Sequence, residues 1–245
     1  MISKANIQLV KSLQDKKQRQ KYNQFVVEGE KSITELLKSP FDTVKLYAVS
    51  TFLEQNFQLL KSVSYEEVNE KELKQMSAHM APQKAVAVVR MPEEEPIKKN
   101  TKLILALDEI QDPGNLGTII RIADWYGIEH IVCNKGCTDA YNPKCINSSM
   151  GSFLRVKLHY QDIVELAEQT QLPLMVAVLE GQNIHQGSLP KEGILVIGNE
   201  GHGVNDFIIS KAKYKLTIPK YGGAESLNAA ISTAIILDNL IKSKP

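Results

Sequence analysis

The chain has 245 residues, 43% of them hydrophobic and 23% charged, and a net charge of +1. This is the balance of an ordinary soluble globular protein, long enough for one large domain or two modest ones. No apolar run reaches the roughly 18 residues of a membrane span, and residues 1–6 lack the apolar core of a secretory signal.

Residues 1–21 carry Lys4, Lys11, Lys16, Lys17, Arg19 and Lys21 against Asp15 alone. Such a run is either a footprint for nucleic-acid phosphates or the solvated face of a helix, and charge alone leans to the second. Residues 25–27 read as a short strand, 31–37 as a helix and 44–49 as a second strand. Residues 52–60 read as a helix and 85–89 as a closing apolar strand. That alternation predicts a small α/β domain over residues 1–92. The charged stretch 91–100, with Pro92 and Pro96, reads as a linker.

Over residues 101–245 the alternation is stronger. Residues 103–107 are a buried-type strand, and 116–126 a helix with Asn115 as its N-cap and Gly127 as its stop. Strands follow at 129–133 and 153–158, then a helix at 162–169. Residues 174–179 and 194–197 are continuously apolar, as buried parallel strands are. The last strand is 214–218, and 226–241 is a long, mostly apolar helix. The three cysteines, Cys133, Cys137 and Cys145, are bunched and contain no Cys-x-x-Cys pair. This argues against a disulfide framework and a structural zinc site, and fits reduced thiols in a cytoplasmic protein.

Three strand ends run into Gly-containing polar loops, at 107–117, 195–203 and 218–228. In an α/β domain such loops gather at one sheet edge, where ligands bind. In the first, Pro113 and Gly114 set a turn beside Asn115 and Arg121. The planar guanidinium fork suits phosphate or carboxylate; the alternative is a structural salt bridge from Arg121 to Glu109 or Glu200. In the second, Gly198, Gly201 and Gly203 allow close backbone approach around Glu200. No G-x-G-x-x-G opens a helix there and no Walker pattern occurs, which counts against NAD and ATP. In the third, Ser226 is placed to cap the final helix. Asn228, one turn in, either braces a loop or meets a ligand. Ser226 does not sit in the G-x-S-x-G elbow of a hydrolase. His79, His130, His159, His185 and His202 have no metal-ligand spacing, and His202, alone in the second loop, reads as incidental.

Together these segments resemble the SpoU (TrmH-like) family of the SPOUT class of RNA methyltransferases. Pro113, Asn115, Gly117, Arg121 and Ala123 fit the family's first motif. Gly198, Glu200 and Gly203 fit the second. Ile218, Pro219, Gly222, Ser226, Leu227 and Asn228 fit the third, in the family order across residues 101–245. Residues 25–29, Phe-Val-Val-Glu-Gly, with the basic run before them, are similar to the family's substrate-binding domain of the ribosomal-protein L30e-like type. The sequence departs from the pattern at Ala229-Ala230, where Val-Ser is common. It departs again at Asn147, before Ser148-Ser149-Met150-Gly151, where a basic residue is often found.

The resemblance implies an α/β-knot: a mostly parallel sheet whose C-terminal segment threads a loop into a deep trefoil knot, a topology otherwise nearly absent. It implies S-adenosylmethionine as cofactor, held in a bent form by Leu179, Glu180, Gly181, Ile197, Gly198, Asn199, Ile218, Ser226 and Leu227, with no metal. It implies a homodimer with the active site near the interface, and a catalytic set of Arg121, Asn115, Glu200, Ser226 and Asn228. The reaction would be in-line transfer of a methyl group to a ribose 2′-hydroxyl, for which alignment is the main requirement. Family proposals make Arg121 the base. A guanidinium is normally always charged, so a phosphate or positioned water is the alternative acceptor, with Arg121 orienting the ribose-phosphate. In that scheme Asn115 and Glu200 hold Arg121 and the substrate, and Asn228 steadies the loops. The added domain favours 23S ribosomal RNA as substrate, with transfer RNA as runner-up. Two other classes remain: a non-catalytic RNA-binding or ribosome-assembly protein of the same fold, and an ordinary α/β nucleotide-binding enzyme, which residues 108–117 fit poorly.

Overall fold

A computed structural model of the chain describes residues 2–77 and 83–242; His79 lies outside them. The chain divides into two compact units, Met1–Glu93 with Asp139–Leu154, and Glu94–Thr138 with Arg155–Pro245.

In the first unit, α1 (Lys4–Ser12) and α2 (Lys16–Tyr22) precede β1 (Gln24–Glu28). Then come α3 (Glu30–Leu36), β2 (Thr43–Ala48), α4 (Ser50–Gln55), β3 (Tyr65–Glu67), α5 (Glu70–Met76) and β4 (Ala85–Arg90). The sheet order is β1-β4-β2-β3, with β4 antiparallel to both neighbours and β2 parallel to β3. One face buries Val26, Tyr47, Val86 and Val88 with Val10 and Leu13 from the N-terminal segment and Leu73 and Met76 from α5. A ring cluster of Phe25, Phe41, Tyr141 and Phe153 brings residues 139–154 into the unit, with Phe25 and Tyr141 centroids 4.6 Å apart.

The helices α1, α2 and α5 were not legible as amphipathic repeats, because they are largely polar. Caps define them instead. Asp15 Oδ1 accepts from the backbone N–H of Lys17 at 2.8 Å and of Gln18 at 3.2 Å. Asn69 and Glu72 form a reciprocal capping box on α5. Arg19, counted above with the basic run, is buried rather than solvated, so it leaves that surface to the lysines.

The second unit begins with β5 (Leu103–Leu107), α6 (Pro113–Trp125) and β6 (His130–Cys133). The next helix, α7 (Pro143–Ser149), belongs to the first unit. The second unit resumes with β7 (Lys157–Tyr160), α8 (Ile163–Thr170), β8 (Leu174–Asn183), β9 (Gly193–Ile197), α9 (Asp206–Lys211), β10 (Tyr214–Thr217) and α10 (Ala229–Lys242). Its six strands run in the order β10-β8-β9-β5-β6-β7, every pair parallel. Ile104, Ala106, Val176, Ile194 and Val196 bury one face against Ile163 and Leu166 of α8 and Ile208 of α9. Leu105, Leu107, Leu195 and Ile197 alternate to the other face, and α10 packs against α6 and β9. This is the α/β architecture expected from the sequence, a smaller α/β domain followed by a parallel-sheet domain; the mixed sheet of the first unit is what the structure adds.

Two boundaries differ in ways that matter. The strand expected over 153–158 starts only at Lys157, because Ser152–Leu154 form a 3-10 turn in the first unit. The strand expected over 174–179 continues to Asn183 with a register jump: Lys215 pairs with Val176, but the next residue, Leu216, pairs with Gln182. The intervening residues of β8 form an excursion from the sheet. Among the described residues no helix is long and apolar enough to cross a membrane.

Candidate active site at the carboxyl edge of the parallel sheet

Because the six strands are parallel, the ends of β10, β8, β9 and β5 emerge side by side at one edge. The three glycine-containing loops and the β8 excursion meet there, as open α/β sheets place their ligands.

The first loop leaves β5 through Asp108, which is buried. Burial pushes its carboxyl above the usual carboxylate range, while the bond from the Asn205 N–H opposes that shift. Its Oδ2 accepts from Asn205 N at 2.7 Å, and its Oδ1 from the side-chain amide of Asn134. Glu109 follows in the left-handed region, φ 56°. Its N–H donates to Asn134 Oδ1 at 3.0 Å and its carbonyl accepts from Asn199 Nδ2 at 2.9 Å. The cap of α6 is Asp112, not Asn115: Asp112 Oδ1 accepts from Asn115 N at 2.9 Å and Pro113 opens the helix. Asn115 thus lies in the first turn, and its side chain is free for other work.

That work joins the three loops. Asn115 Nδ2 donates to Glu200 Oε1 of the second loop. Asn228 Nδ2 of the third donates to Asn115 Oδ1 at 3.0 Å. Asn228 is also the cap of α10, where Ser226 was expected. Its Oδ1 accepts from Ala230 N at 3.0 Å and Ile231 N at 3.3 Å, and its carbonyl takes the first helical bond, from Ser232. Residues 221–228 are exposed, and Ser226 and Leu227 stand in that loop ahead of the helix.

The second loop is a tight reversal. Asn199 and Gly203 exchange backbone bonds of 3.1 and 2.9 Å. A Cβ on Gly198 would lie 2.3 Å from the Gly203 carbonyl carbon, so only glycine fits. Glycine is likewise required at Gly181 in the β8 excursion, where a Cβ would lie 2.6 Å from the Lys215 carbonyl oxygen. Leu179 and Glu180 of that excursion are exposed, Ile197 is buried at the end of β9, and Ile218 is half-buried after β10.

Arg121 is exposed on the α6 stripe it shares with Thr118 and Trp125. Among the described residues it has no ion pair or hydrogen bond. The salt bridges weighed for it are not made, since Glu200 is taken by Asn115 and Glu109 faces His202, with Oε2 3.2 Å from Nε2. His202, read from sequence as incidental, therefore has a partner in another loop. Asn134 and Asn205 were also missed; each supports Asp108, and the one local signal was the place of Asn134 directly after the apolar run of β6. Among the described residues no cluster of His, Cys, Asp and Glu is arranged to hold a metal ion.

Comparison with known proteins gives this geometry a family. Residues 102–238 match the SpoU rRNA Methylase family, and residues 4–87 match the MRM3-like substrate binding domain. The chain is 32% identical over 241 residues to the 23S rRNA (guanosine(2553)-2′-O)-methyltransferase RlmP of Bacillus subtilis, covering 94% of this chain and 93% of that one. It superposes on the AdoMet-bound rRNA methyltransferase from Sinorhizobium meliloti with a TM-score of 0.88, at 26% identity, covering 100% of this chain and 98% of that one. The SpoU methyltransferase AviRb from Streptomyces viridochromogenes, in complex with AdoMet, shares the fold, with a TM-score of 0.87 at 23% identity over 99% and 98% of the two chains. The chain belongs to the SpoU rRNA methylase family and carries an N-terminal MRM3-like substrate-binding domain.

Proposed function

We propose that this chain methylates a ribose 2′-hydroxyl of 23S ribosomal RNA in the cytoplasm, working as a homodimer. It is an S-adenosylmethionine-dependent RNA ribose 2′-O-methyltransferase, in keeping with its family and its relatives. The observation that carries the reading is the hydrogen-bonded chain Glu200–Asn115–Asn228, which ties three loops together about two turns before Arg121 on α6, a side chain with no ion pair or hydrogen bond among the described residues.

The edge fits the cofactor. At Gly198 and Gly181 the backbone packs too closely for any side chain, which leaves main-chain polar groups to read a ligand. Leu179 and Leu227 expose apolar surface at the same edge. In this reading Leu179, Glu180, Gly181, Ile197, Gly198, Asn199, Ile218, Ser226 and Leu227 hold S-adenosylmethionine, and the knot of the C-terminal segment shapes their loops. Bound there, the cofactor supplies an electrophilic methyl group. Arg121, always charged, orients the ribose-phosphate, and Asn115, Glu200, Ser226 and Asn228 fix the loops around it. Lys4, Lys11, Lys16, Lys17 and Lys21 supply phosphate contacts from the substrate-binding domain.

The dimer reading rests on Trp125, 84% exposed on the Arg121 stripe, and on exposed Ile231 of α10, the helix packed on α6. Light scattering on wild type and Trp125→Glu tests it; a monomeric wild type would refute it.

The test of function is transfer of a tritiated methyl group to undermethylated ribosomal and transfer RNA, with wild type and Arg121→Ala side by side. Label in ribosomal RNA with wild type alone, and cofactor binding retained in the variant by calorimetry, is the expected result. No label and no cofactor binding in wild type would favour the non-catalytic RNA-binding reading.

A further inference from the structure

A guanidinium stays charged, so the proton must go to a group other than Arg121. We infer that His202, backed by Glu109, takes the proton of the RNA 2′-hydroxyl. The role rests on the ribose-methylation reading above.

The pair spans two loops of the site. His202 Nε2 lies 3.2 Å from Glu109 Oε2, with the side chains 60% and 42% exposed. An exposed pair of this kind contributes little to stability, yet both residues are held firmly. Glu109 keeps a left-handed backbone, disfavoured for a residue with a Cβ, through bonds from its N–H to Asn134 and from Asn199 to its carbonyl. His202 rides in the reversal closed by Asn199 and Gly203, where Gly201 N also donates to Asn199 Oδ1 at 2.7 Å. Asn199 therefore fixes both partners. The imidazole opens on a cavity of about 220 Å³ lined by Asp108 and Glu109 after β5, Val204, Asn205 and Asp206. The charged groups that line it with the imidazole are acidic: Glu109 and Asp108 from the first loop and Asp206 from the start of α9.

In the tautomer that turns Nε2–H toward the Glu109 carboxylate 3.2 Å away, the lone pair lies on Nδ1. The 2′-oxygen forms its bond to the methyl carbon as the bond from that carbon to the sulfonium sulfur breaks, the electron pair staying on sulfur. The hydroxyl proton passes to Nδ1, and the carboxylate of Glu109 stabilises the resulting imidazolium. Arg121 then needs only to hold the phosphate.

The experiment is the pH profile of methyl transfer under saturating RNA for wild type, His202→Gln and Glu109→Gln, with cofactor affinity measured by calorimetry. His202→Gln is expected to bind the cofactor as wild type does, to lose roughly 100-fold or more in kcat, and to lose the fall in rate on the acid side. Glu109→Gln is expected to keep the acid-side fall and the cofactor affinity of wild type while losing part of kcat. A His202→Gln enzyme within about threefold of wild type, or one retaining the acid fall, overturns the role. A Glu109→Gln enzyme with the kcat of wild type removes the carboxylate from the role. Wild type that transfers no methyl to any RNA removes the ribose-methylation reading itself, and the role with it.

Discussion

Arg19 clasps Asp139 from 120 residues away, with Nη2 2.6 Å and Nε 3.1 Å from the same carboxylate oxygen. Its Nη1 donates to the carbonyls of Leu13 at 2.9 Å and Gln14 at 2.7 Å, at the turn between α1 and α2. The guanidinium is buried, so every donor that faces inward must be matched. The pair thus fastens the N-terminal helices to the segment 139–154. Arg19→Ala leaves a carboxylate and two carbonyls without their partner, and is expected to cost about 3–5 kcal/mol. Urea unfolding measures it; a loss below about 1 kcal/mol would show the clasp to be dispensable.

A second buried pair should make stability depend on pH. His130 Nδ1 and His159 Nε2 are 3.0 Å apart, both rings are buried, and His130 Nε2 has no hydrogen-bond partner among the described residues. Burial holds both imidazoles below the usual histidine range; for His130 a charge on His159 adds to this, while Glu129 opposes it. The unfolded chain therefore takes up protons first. The stabilisation is complete above the unfolded imidazole value of about 6.5 and is lost as pH falls through the folded values. Unfolding free energy is expected to drop from pH 7.5 to pH 5 in wild type. His159→Gln should flatten the slope, and an equal slope in the variant would assign the effect elsewhere.

Glycines in the second loop offer a contrast. A Cβ at Gly198 collides with backbone at 2.3 Å, whereas one at Gly203 meets nothing within 4 Å and suffers only from φ of 75°. Gly203→Ala is expected to cost roughly 1–2 kcal/mol and keep its fold. Gly198→Ala must open the Asn199–Gly203 reversal, and is expected to lose cofactor binding in calorimetry. Cofactor binding undiminished in Gly198→Ala would remove this loop from the proposed cofactor site.

The contrast between the two units explains what the sequence made legible. Leu103–Leu107 and Gly193–Ile197 are buried on both faces and pair residue for residue, so each reads as an unbroken apolar run. Helices α1, α2 and α5 bury few side chains, and their signal is in Ser3, Asp15 and Asn69 rather than in periodicity. The three site loops were legible because each places glycines and polar side chains directly after an apolar strand. What joins them was not: the bond from Asn228 to Asn115 crosses 113 residues, and that from Asn115 to Glu200 crosses 85. No local pattern encodes such contacts. The pairing of His202 with Glu109 was hidden for the same reason.

Asn228 has two roles that a single substitution can separate. Its Oδ1 caps α10, and its Nδ2 reaches Asn115. Asp at this position keeps the acceptor and caps a helix as well as Asn does, but it cannot donate to Asn115. Asn228→Asp is therefore expected to hold its unfolding free energy within about 0.5 kcal/mol while methyl transfer falls. Asn228→Ala loses both bonds, and is expected to lose about 1 kcal/mol of stability as well as transfer. Thermal unfolding and tritium transfer on the two variants make the comparison. Full transfer by Asn228→Asp would mean that the link to Asn115 plays no part in the reaction, and would leave Asn228 as a helix cap alone.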